Sequence, residues 1–486
     1  MAEDNKSLKR KTVSALIWKF SERVMAQLVG FVVSVVLARI LMPEEYGVVA
    51  IVAIFISLAD VLVTHGLGST LIQKKEADRL DFDTIFYSGL ILSGVLYIVL
   101  FFTAPLIATI YTNDQLIPVL RVMGLRIPIA AVNSVQHAYV SKRLEFRKFF
   151  FSTLGGTLVS GVVGIAMANR GFGVWALVAQ YMTNTCIDTL VLFFTVGWRP
   201  GRKFSYERFK SLFSFGKNMM ISGFVGVLFN QLSGLIVGAK YNAEDLAYYN
   251  KGEKYPALVT TNIEQSIDSV LFPVLSQKQD NNEAVRLVMR QFIKHASYII
   301  MPLMAGLVAS GDTFVKVLLT DKWLPCVPFI QIFCVQQAFS VLNTSNLQVI
   351  KAKGEGKTLV RLETIKKPIL LTILFITMMI SPTWMAIGVT AYELIAAFIN
   401  SKPTTRMIGY SFLLQMKDVA PNLVMSLAMG SIVLLLGRIH AENIIVLLIQ
   451  LLSGIAVYIG LSFATRNESF KFILEQGKRI LKRNVS

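Results

Sequence analysis

The sequence of 486 residues is too apolar for a soluble globular protein. Hydrophobic residues make up 54% of it and charged residues only 16%, with a mean hydropathy of +0.58, whereas soluble domains carry about 25% charged residues. The polar residues gather in short islands between long apolar stretches. These properties indicate an integral membrane protein, and they exclude soluble enzymes and nucleic-acid-binding modules.

A helix needs about 20 residues to cross roughly 30 Å of hydrocarbon. Applied along the chain, this length predicts an all-α, polytopic membrane protein with fourteen spans. The predicted spans are 13–41, 46–72, 84–110, 115–140, 148–169, 172–197, 211–239, 245–275, 290–310, 323–350, 362–381, 383–400, 418–437 and 442–464. The first stretch is interpreted as an uncleaved span, because it carries charges and lacks a small-residue cleavage site. Span 245–275 contains YYNKGEKYP and requires shielding by protein or water.

The distribution of Lys and Arg predicts how the chain is oriented. With the N-terminus in the cytoplasm, 33 of the 48 basic residues fall on the inner side and six on the outer side or its rim. Basic residues concentrate in cytoplasmic loops. The pattern therefore predicts that both termini are cytoplasmic. Topology and attraction to anionic lipid then account for the net charge of +18 without nucleic acid.

Two amphipathic segments lie outside the apolar cores of the predicted spans, at 204–215 and 468–483. Each combines a basic face with an apolar one, which is typical of helices that lie on a membrane surface. We expect both to rest on the inner leaflet, and the alternative is a solvated basic linker and a solvated tail.

The chain contains a candidate internal repeat. The turn ARILMPEEYG (38–47) is followed 200 residues later by GAKYNAEDLA (238–247), which pairs Glu44 with Glu244 and Glu45 with Asp245. This predicts two six-helix lobes in a parallel pseudo-repeat around a central cavity, with chance similarity as the alternative. The predicted parts are an N-terminal lobe (1–197), a basic cytoplasmic linker (198–210), a C-terminal lobe (211–400), two extra spans (401–465) and an amphipathic basic tail (466–486).

Several basic residues fall at membrane depth, where a charge costs several kcal/mol unless it is paired or faces a cavity. Lys19 and Arg23 share one face of span one, with Glu22 beside them. A cationic cavity would suit a pyrophosphate. The candidate binding residues are Lys19, Glu22, Arg23, Arg121, Arg126, Lys251, Glu253 and Lys254. Three further cations are interpreted as snorkelling to the inner interface: Lys217, Lys366 and Lys367.

Acidic residues also fall within the spans. The candidates for H⁺ or Na⁺ coupling are Asp60, Asp188, Glu264, Asp268 and Glu393. Structural pairing with the cations is the interpretation that we favour for them. The sequence contains no metal-ligand cluster, phosphate-binding glycine loop or catalytic triad, so we predict a protein that is not an enzyme and needs no metal or organic cofactor.

Three features together resemble a known family: LARILMPEEYGVVAI (37–51), AYYNKGEKYP (247–256) followed by LFPVLS (271–276), and fourteen spans with a basic middle loop. The chain resembles the Wzx-type polysaccharide transporters of the multidrug/oligosaccharidyl-lipid/polysaccharide exporter superfamily. The resemblance implies a bacterial inner-membrane flippase that moves undecaprenyl-pyrophosphate-linked oligosaccharide to the outer leaflet, for O-antigen, capsule or exopolysaccharide assembly. It also implies a fold of two lobes around a cationic cavity.

In the related lipid II flippases, charged residues on spans one and eight are important. The matching positions here are Lys19, Glu22, Arg23, Lys251 and Lys254. The implied partners are the lipid-linked oligosaccharide, membrane lipids and the polysaccharide polymerase machinery, with no nucleic acid. The two extra spans are expected to pack beside the lobes and to contribute a groove for the polyprenyl tail.

Two alternatives remain. A multidrug antiporter of the same superfamily would exchange organic cations for H⁺ or Na⁺, and it calls for a cavity rich in carboxylates and aromatic rings. A membrane-bound glycosyltransferase or polymerase would carry a sizeable soluble or periplasmic loop bearing acids and histidine. The basic residues at depth argue against the first, and the short outer loops argue against the second.

Overall fold

The computed structural model describes the backbone of residues 2–74 and 76–485, and the side chains of residues 18–64, 66, 68–74, 76–214, 216–264 and 270–476. The described chain is helical, with a π-helical turn at Thr64–Gly68 and a 3-10 helix at Asp321–Cys326. The α-helices are α1 (Ala2–Ile40), α2 (Pro43–Val63), α3 (Ser69–Gln73), α4 (Arg79–Ile110), α5 (Leu116–Gly124), α6 (Arg126–Arg143), α7 (Arg147–Asn169), α8 (Val174–Thr195), α9 (Tyr206–Lys240), α10 (Ala243–Gln277), α11 (Asn282–Leu318), α12 (Val327–Ala352), α13 (Gly356–Thr377), α14 (Pro382–Ile408), α15 (Phe412–Leu436), α16 (Asn443–Ala464) and α17 (Glu468–Val485).

Twelve helical segments in the described chain are long and apolar enough to cross a membrane, which confirms the all-α, multi-pass prediction. The predicted spans 245–275 and 362–381 coincide with α10 and α13, which are not among the twelve. Both helices are of spanning length, at 35 and 22 residues, but they carry many charges. The count of fourteen spans therefore stays a prediction.

The two halves of the candidate repeat have the same local geometry. Helix α1 ends at Ile40 and α2 begins at Pro43, and α9 ends at Lys240 and α10 begins at Ala243. The two turns also touch each other. A Cβ atom placed on Gly47 would lie 1.7 Å from the carbonyl oxygen of Ala243. Only glycine permits so close an approach of two backbones.

The chain divides into two compact units, residues 1–247 and 248–486. The first unit contains α1 to α9 and the first residues of α10, because α9 packs against α2 and against the π-helical turn. The second unit contains the rest of α10 and α11 to α17. The predicted lobe boundary at 198–210 lies inside the first unit, so that division of the chain stays a prediction.

Within the first unit, loops that are distant in sequence meet at one end. The Lys142 ammonium donates to the carbonyl oxygens of Leu71 and Lys74, and Arg208 pairs with Asp78 at 3.3 Å. All three loops were predicted to share the cytoplasmic side. This meeting is what alternating spans require, while the side of the membrane on which the termini lie stays a prediction.

The segment 204–215 does not form a separate surface helix, so that prediction is wrong. Its residues from Tyr206 onward belong to α9, which runs unbroken to Lys240. Leu212 is buried in a hydrophobic cluster with Phe82 and Trp198, so the apolar face packs on protein. The segment 468–483 does form a helix of its own, α17.

Candidate substrate-binding site

Helix α1 carries the first predicted cluster, and it packs against α7. The Lys19 side chain is exposed, with its Nζ atom 5.3 Å from the centre of the Phe146 ring. The Glu22 carboxylate is hydrogen-bonded to the hydroxyl of Thr153 and lies within electrostatic range of Lys19. Arg23 is half-buried. The cluster therefore presents an exposed ammonium group beside a carboxylate that α7 holds in place.

Arg126 is held between three helices of the first unit. Its Nε atom donates to Thr185 Oγ1 at 2.9 Å, and its guanidinium lies 5.5 Å from the centre of the Tyr181 ring. Its charge also stabilises the Asp60 carboxylate of α2. Arg121 is held in a similar way by Phe101, whose ring centre lies 4.2 Å from the guanidinium carbon. Both arginines thus have partners within the protein that account for their charges.

Asp188 lies in a polar cluster between α8 and α6. It accepts a hydrogen bond of 2.6 Å from Asn133 and lies 3.5 Å from His137 Nε2. The other carboxylate oxygen is buried, and the Ser152 hydroxyl is a further hydrogen-bond partner of this carboxylate. Asn133 and His137 are four residues apart on α6, hence on one helix face. That spacing is the signal by which the sequence could have indicated this cluster.

Helix α10 carries the second predicted cluster, and its two lysines are in different environments. The Lys251 side chain is only 5% exposed, and its Nζ atom lies 5.1 Å from the centre of the Trp323 ring, in the 3-10 helix. The next residue, Gly252, allows α10 to pack closely on α12, because a Cβ atom there would lie 2.2 Å from the Cβ of Phe329. Glu253 and Lys254, by contrast, are exposed. Of the two lysines, Lys254 alone has an accessible ammonium group.

The third polar group of interest lies on α13 and α14. Lys366 does not snorkel, because its side chain is 6% exposed and its Nζ atom lies 2.6 Å from Glu363 Oε1. Its charge also acts on Glu393, which accepts a hydrogen bond of 2.9 Å from Asn343. The Glu264 carboxylate lies within electrostatic range of Glu393. The side chain of Asp268 lies outside the described residues.

Sequence reasoning missed a strong ion pair between α11 and α15. Arg290 binds Asp418 through two hydrogen bonds, of 2.7 and 2.8 Å, and Tyr410 donates to the same carboxylate at 2.9 Å. Asp418 and Arg290 had each been placed at the first residue of a predicted span, 418–437 and 290–310, without being singled out. An acid at the first residue of an apolar stretch was the available signal.

An apolar cavity of about 490 Å³ lies in the second unit between α11, α12 and α15. Its walls include Met301, Met304, Phe339 and Leu427. Helix α15 was predicted as the first of two extra spans that pack beside the lobes. The structure brings it against α11, where it forms one wall of this cavity.

Comparison with known proteins identifies the family. The family model described as "Polysaccharide biosynthesis protein" matches residues 36–328. The lipopolysaccharide biosynthesis protein WzxC of Escherichia coli is 26% identical over 81% of this chain and 80% of its own. The succinoglycan biosynthesis transport protein ExoT of Rhizobium meliloti is 23% identical over 68% of this chain and 67% of its own.

The fold also matches a solved structure. The lipid II flippase MurJ, in an inward closed conformation, superposes with a TM-score of 0.74 at 14% identity, over 93% of this chain and 99% of that chain. At that identity the likeness shows a shared fold. The predicted resemblance to Wzx-type polysaccharide transporters is thereby confirmed. Because the family model spans more than half of its length, the chain belongs to the polysaccharide biosynthesis protein family.

Proposed function

We propose that this protein is a flippase of the bacterial cytoplasmic membrane, with both termini in the cytoplasm. Its substrate is an undecaprenyl-pyrophosphate-linked oligosaccharide repeat unit, moved from the cytoplasmic to the outer leaflet for O-antigen, capsule or exopolysaccharide biosynthesis. The observation that carries the proposal is the family match over residues 36–328. The fold shared with a lipid II flippase supports it. The protein would act as a transporter and not as an enzyme, and polysaccharide polymerase machinery would use its product.

The pyrophosphate would bind to cations at membrane depth, since lysine and arginine are the natural partners of phosphate oxygens. Lys19 and Lys254 are exposed and Arg23 is half-buried, so these three would carry most of the binding. Arg121 and Arg126 are held by neighbouring helices, and Lys251 is buried. Those three would position the helices that bear the binding residues, together with Glu22 and Glu253.

The candidate acids for coupling of transport to H⁺ or Na⁺ are Asp60, Asp188, Glu264, Asp268 and Glu393, while structural pairing remains the role that we favour for most of them. Support for coupling comes from the first unit, where one carboxylate oxygen of Asp60 is buried without a hydrogen-bond partner in the described part of the chain. A buried acceptor without a donor is costly and would gain from a bound cation or proton.

The polyprenyl tail would lie against an apolar surface while the headgroup is carried. The cavity between α11, α12 and α15 is of suitable character, because methionine and aliphatic side chains line it. Methionine adapts its shape to irregular apolar ligands. This gives α15 a role in holding the substrate lipid.

The test is transport by the purified full-length protein in liposomes. The outward movement of a fluorescent undecaprenyl-pyrophosphate oligosaccharide is measured beside the efflux of ethidium on the same vesicles, with protein-free vesicles as the control. Movement of the lipid without movement of ethidium is the expected result. Ethidium efflux driven by an ion gradient, with no transfer of lipid, would instead establish a multidrug antiporter.

A further inference from the structure

A buried carboxylate at the start of α4 ties together three segments of the first unit. The Asp81 side chain is 0% exposed. Its Oδ2 atom lies 2.6 Å from Lys74 Nζ, and its Oδ1 atom lies 3.0 Å from a guanidinium nitrogen of Arg208. Arg208 also pairs with Asp78 at 3.3 Å. We call these four residues, Lys74, Asp78, Asp81 and Arg208, the Asp81 clamp.

The basic linker is fastened to the same helix just beyond the clamp. Asp83 accepts a hydrogen bond from the Gly201 amide at 3.0 Å, and Tyr87 donates to the Gly201 carbonyl at 2.7 Å. Thr84 Oγ1 accepts a hydrogen bond from the Ser205 amide at 3.3 Å. These bonds join the backbone of the linker to side chains of a single helix.

Gly201 and Trp198 show how tightly the linker is held. A Cβ atom on Gly201 would lie 2.4 Å from an oxygen of Asp83, so a larger residue could not occupy this position without displacing the linker. The Trp198 ring is buried, with its centre 6.1 Å from that of Phe82 and 5.7 Å from that of Phe86. The segment 198–208 is therefore attached to α4 at Trp198, Gly201, Ser205 and Arg208.

We propose that the Asp81 clamp holds the linker rigidly against α4 and thereby positions the start of α9. Arg208 lies in the first turn of α9, two residues after that helix begins. A linker that is bound to α4 therefore fixes the position of the start of α9 relative to α4. A flexible linker would allow the start of α9 to move. Charge-assisted hydrogen bonds suit this purpose because they are directional, as apolar packing is not.

Asp81 has a second role besides binding Arg208. Asp81 also caps α4, since it and Asp78 exchange hydrogen bonds between side chain and backbone. The Asp81 carboxylate therefore both caps the first turn of α4 and binds Arg208. The function of the clamp goes beyond the proposed flippase activity and rests on it only for the transport measurement below.

The first measurement is amide hydrogen exchange of segment 198–208 in the full-length protein. The variants are Asp81→Asn and Arg208→Gln, with Arg208→Lys as the conservative replacement. Lys210→Gln is the matched control, because it removes an exposed cation from the same turn of α9. We expect slow exchange in the parent and in the control, and about tenfold faster exchange in Arg208→Gln, the scale of one lost charge-assisted hydrogen bond.

The second measurement is lipid transport by the same proteins in liposomes. Arg208→Gln should transport about tenfold more slowly than the parent, and Arg208→Lys should recover part of the rate. Fast exchange in the parent, or unchanged exchange in both Asp81→Asn and Arg208→Gln, would overturn the clamp. Faster exchange with an undiminished transport rate would overturn its positioning role.

The two proposals fail in distinguishable ways. A parent protein that moves no lipid contradicts the proposed flippase function, and hydrogen exchange in the linker still decides whether the clamp exists. If Asp81→Asn does not fold, Arg208→Gln carries the test alone, because the Arg208 side chain lies at the surface edge of the clamp with 39% exposure.

Discussion

The charges of this protein fall into two kinds of region that look alike in the sequence. On α1 and α10, Lys19 and Lys254 are exposed. At the ends of α4 and α15, Asp81 and Asp418 are buried and bind arginines at 2.7–3.0 Å. The difference in exposure shows that charged residues near apolar stretches serve two purposes, the binding of a ligand and the attachment of one helix to another. An exposed cation is available to a ligand, whereas a buried ion pair fixes one helix to another.

The largest effect is expected from the exposed cations. We expect Lys19→Ala, Arg23→Ala and Lys254→Ala each to abolish the complementation of a flippase-deficient strain, because each removes a charge available to the pyrophosphate. Protein levels in the membrane should be unchanged, as measured by immunoblotting. Lys217→Ala is the control, since this exposed cation is predicted to snorkel. Normal surface polysaccharide from all three variants would contradict the binding role.

The ion pair of Arg290 and Asp418 should affect stability instead. Arg290→Met leaves a buried carboxylate with Tyr410 and a more distant Lys294, 3.8 Å away. We expect a loss of about 3 kcal/mol, because an uncompensated buried charge is costly. The double variant Arg290→Met/Asp418→Leu should recover most of that loss. The melting temperature in detergent measures both, and a double variant less stable than Arg290→Met would contradict this account.

Arg126 sharpens the comparison, because it was predicted to bind substrate and yet lies between protein groups. Arg126→Lys should keep a positive charge beside Asp60 but lose the hydrogen bond from Nε to Thr185. We expect stability to fall by about 1 kcal/mol while complementation is retained. Loss of complementation at unchanged stability would instead indicate that Arg126 binds the substrate.

The smallest effect is expected at the tail. The hydrogen bond from Lys294, at 2.8 Å, lowers the pKa of Glu468 below its usual value of 4.5. A lowered pKa in the folded state means that this contact stabilises the docked tail above pH 4.5 and is lost as the pH falls further. Because Glu468 is exposed, we expect this contact to contribute no more than about 0.5 kcal/mol to the stability of the docked tail.

Hydrogen exchange of residues 468–476 between pH 7 and pH 3 checks this prediction, after correction for the intrinsic pH dependence of exchange. Glu468→Gln should abolish the change in protection. If protection in this variant still falls with pH, the effect belongs to a group other than Glu468.

The spans could be predicted from the sequence because a bilayer demands unbroken apolar length. Helix α1 ends at Ile40 where 41 was predicted, and α16 begins at Asn443 where 442 was predicted. The polar segment of α10 was also predicted as a helix, span 245–275, by the same criterion of length. Composition and periodicity are local properties, and a helix in a membrane is largely determined by them.

The contacts of the charged residues could not be predicted in the same way. Lys251 and Lys254 are one turn apart on α10, and only the packing of Trp323 on Lys251 decides which of them is buried. Asp81 and Arg208 are 127 residues apart in the chain. An amphipathic pattern also fits a membrane surface and a protein surface equally well, which is why 204–215 was misassigned. Lys366 was interpreted as snorkelling, although Glu363 three residues earlier in the chain already offered a partner.

The contact between Gly47 and Ala243 has a consequence for how the sequence can change over time. The two turns, which correspond in the candidate repeat, touch each other, so a substitution in one affects the other. Any side chain larger than hydrogen at position 47 would push the Ala243 backbone away. Among homologues, glycine at position 47 should therefore be inherited together with this tight turn, and the two positions should covary where the turn has opened. The two turns therefore cannot change independently at the contact between Gly47 and Ala243.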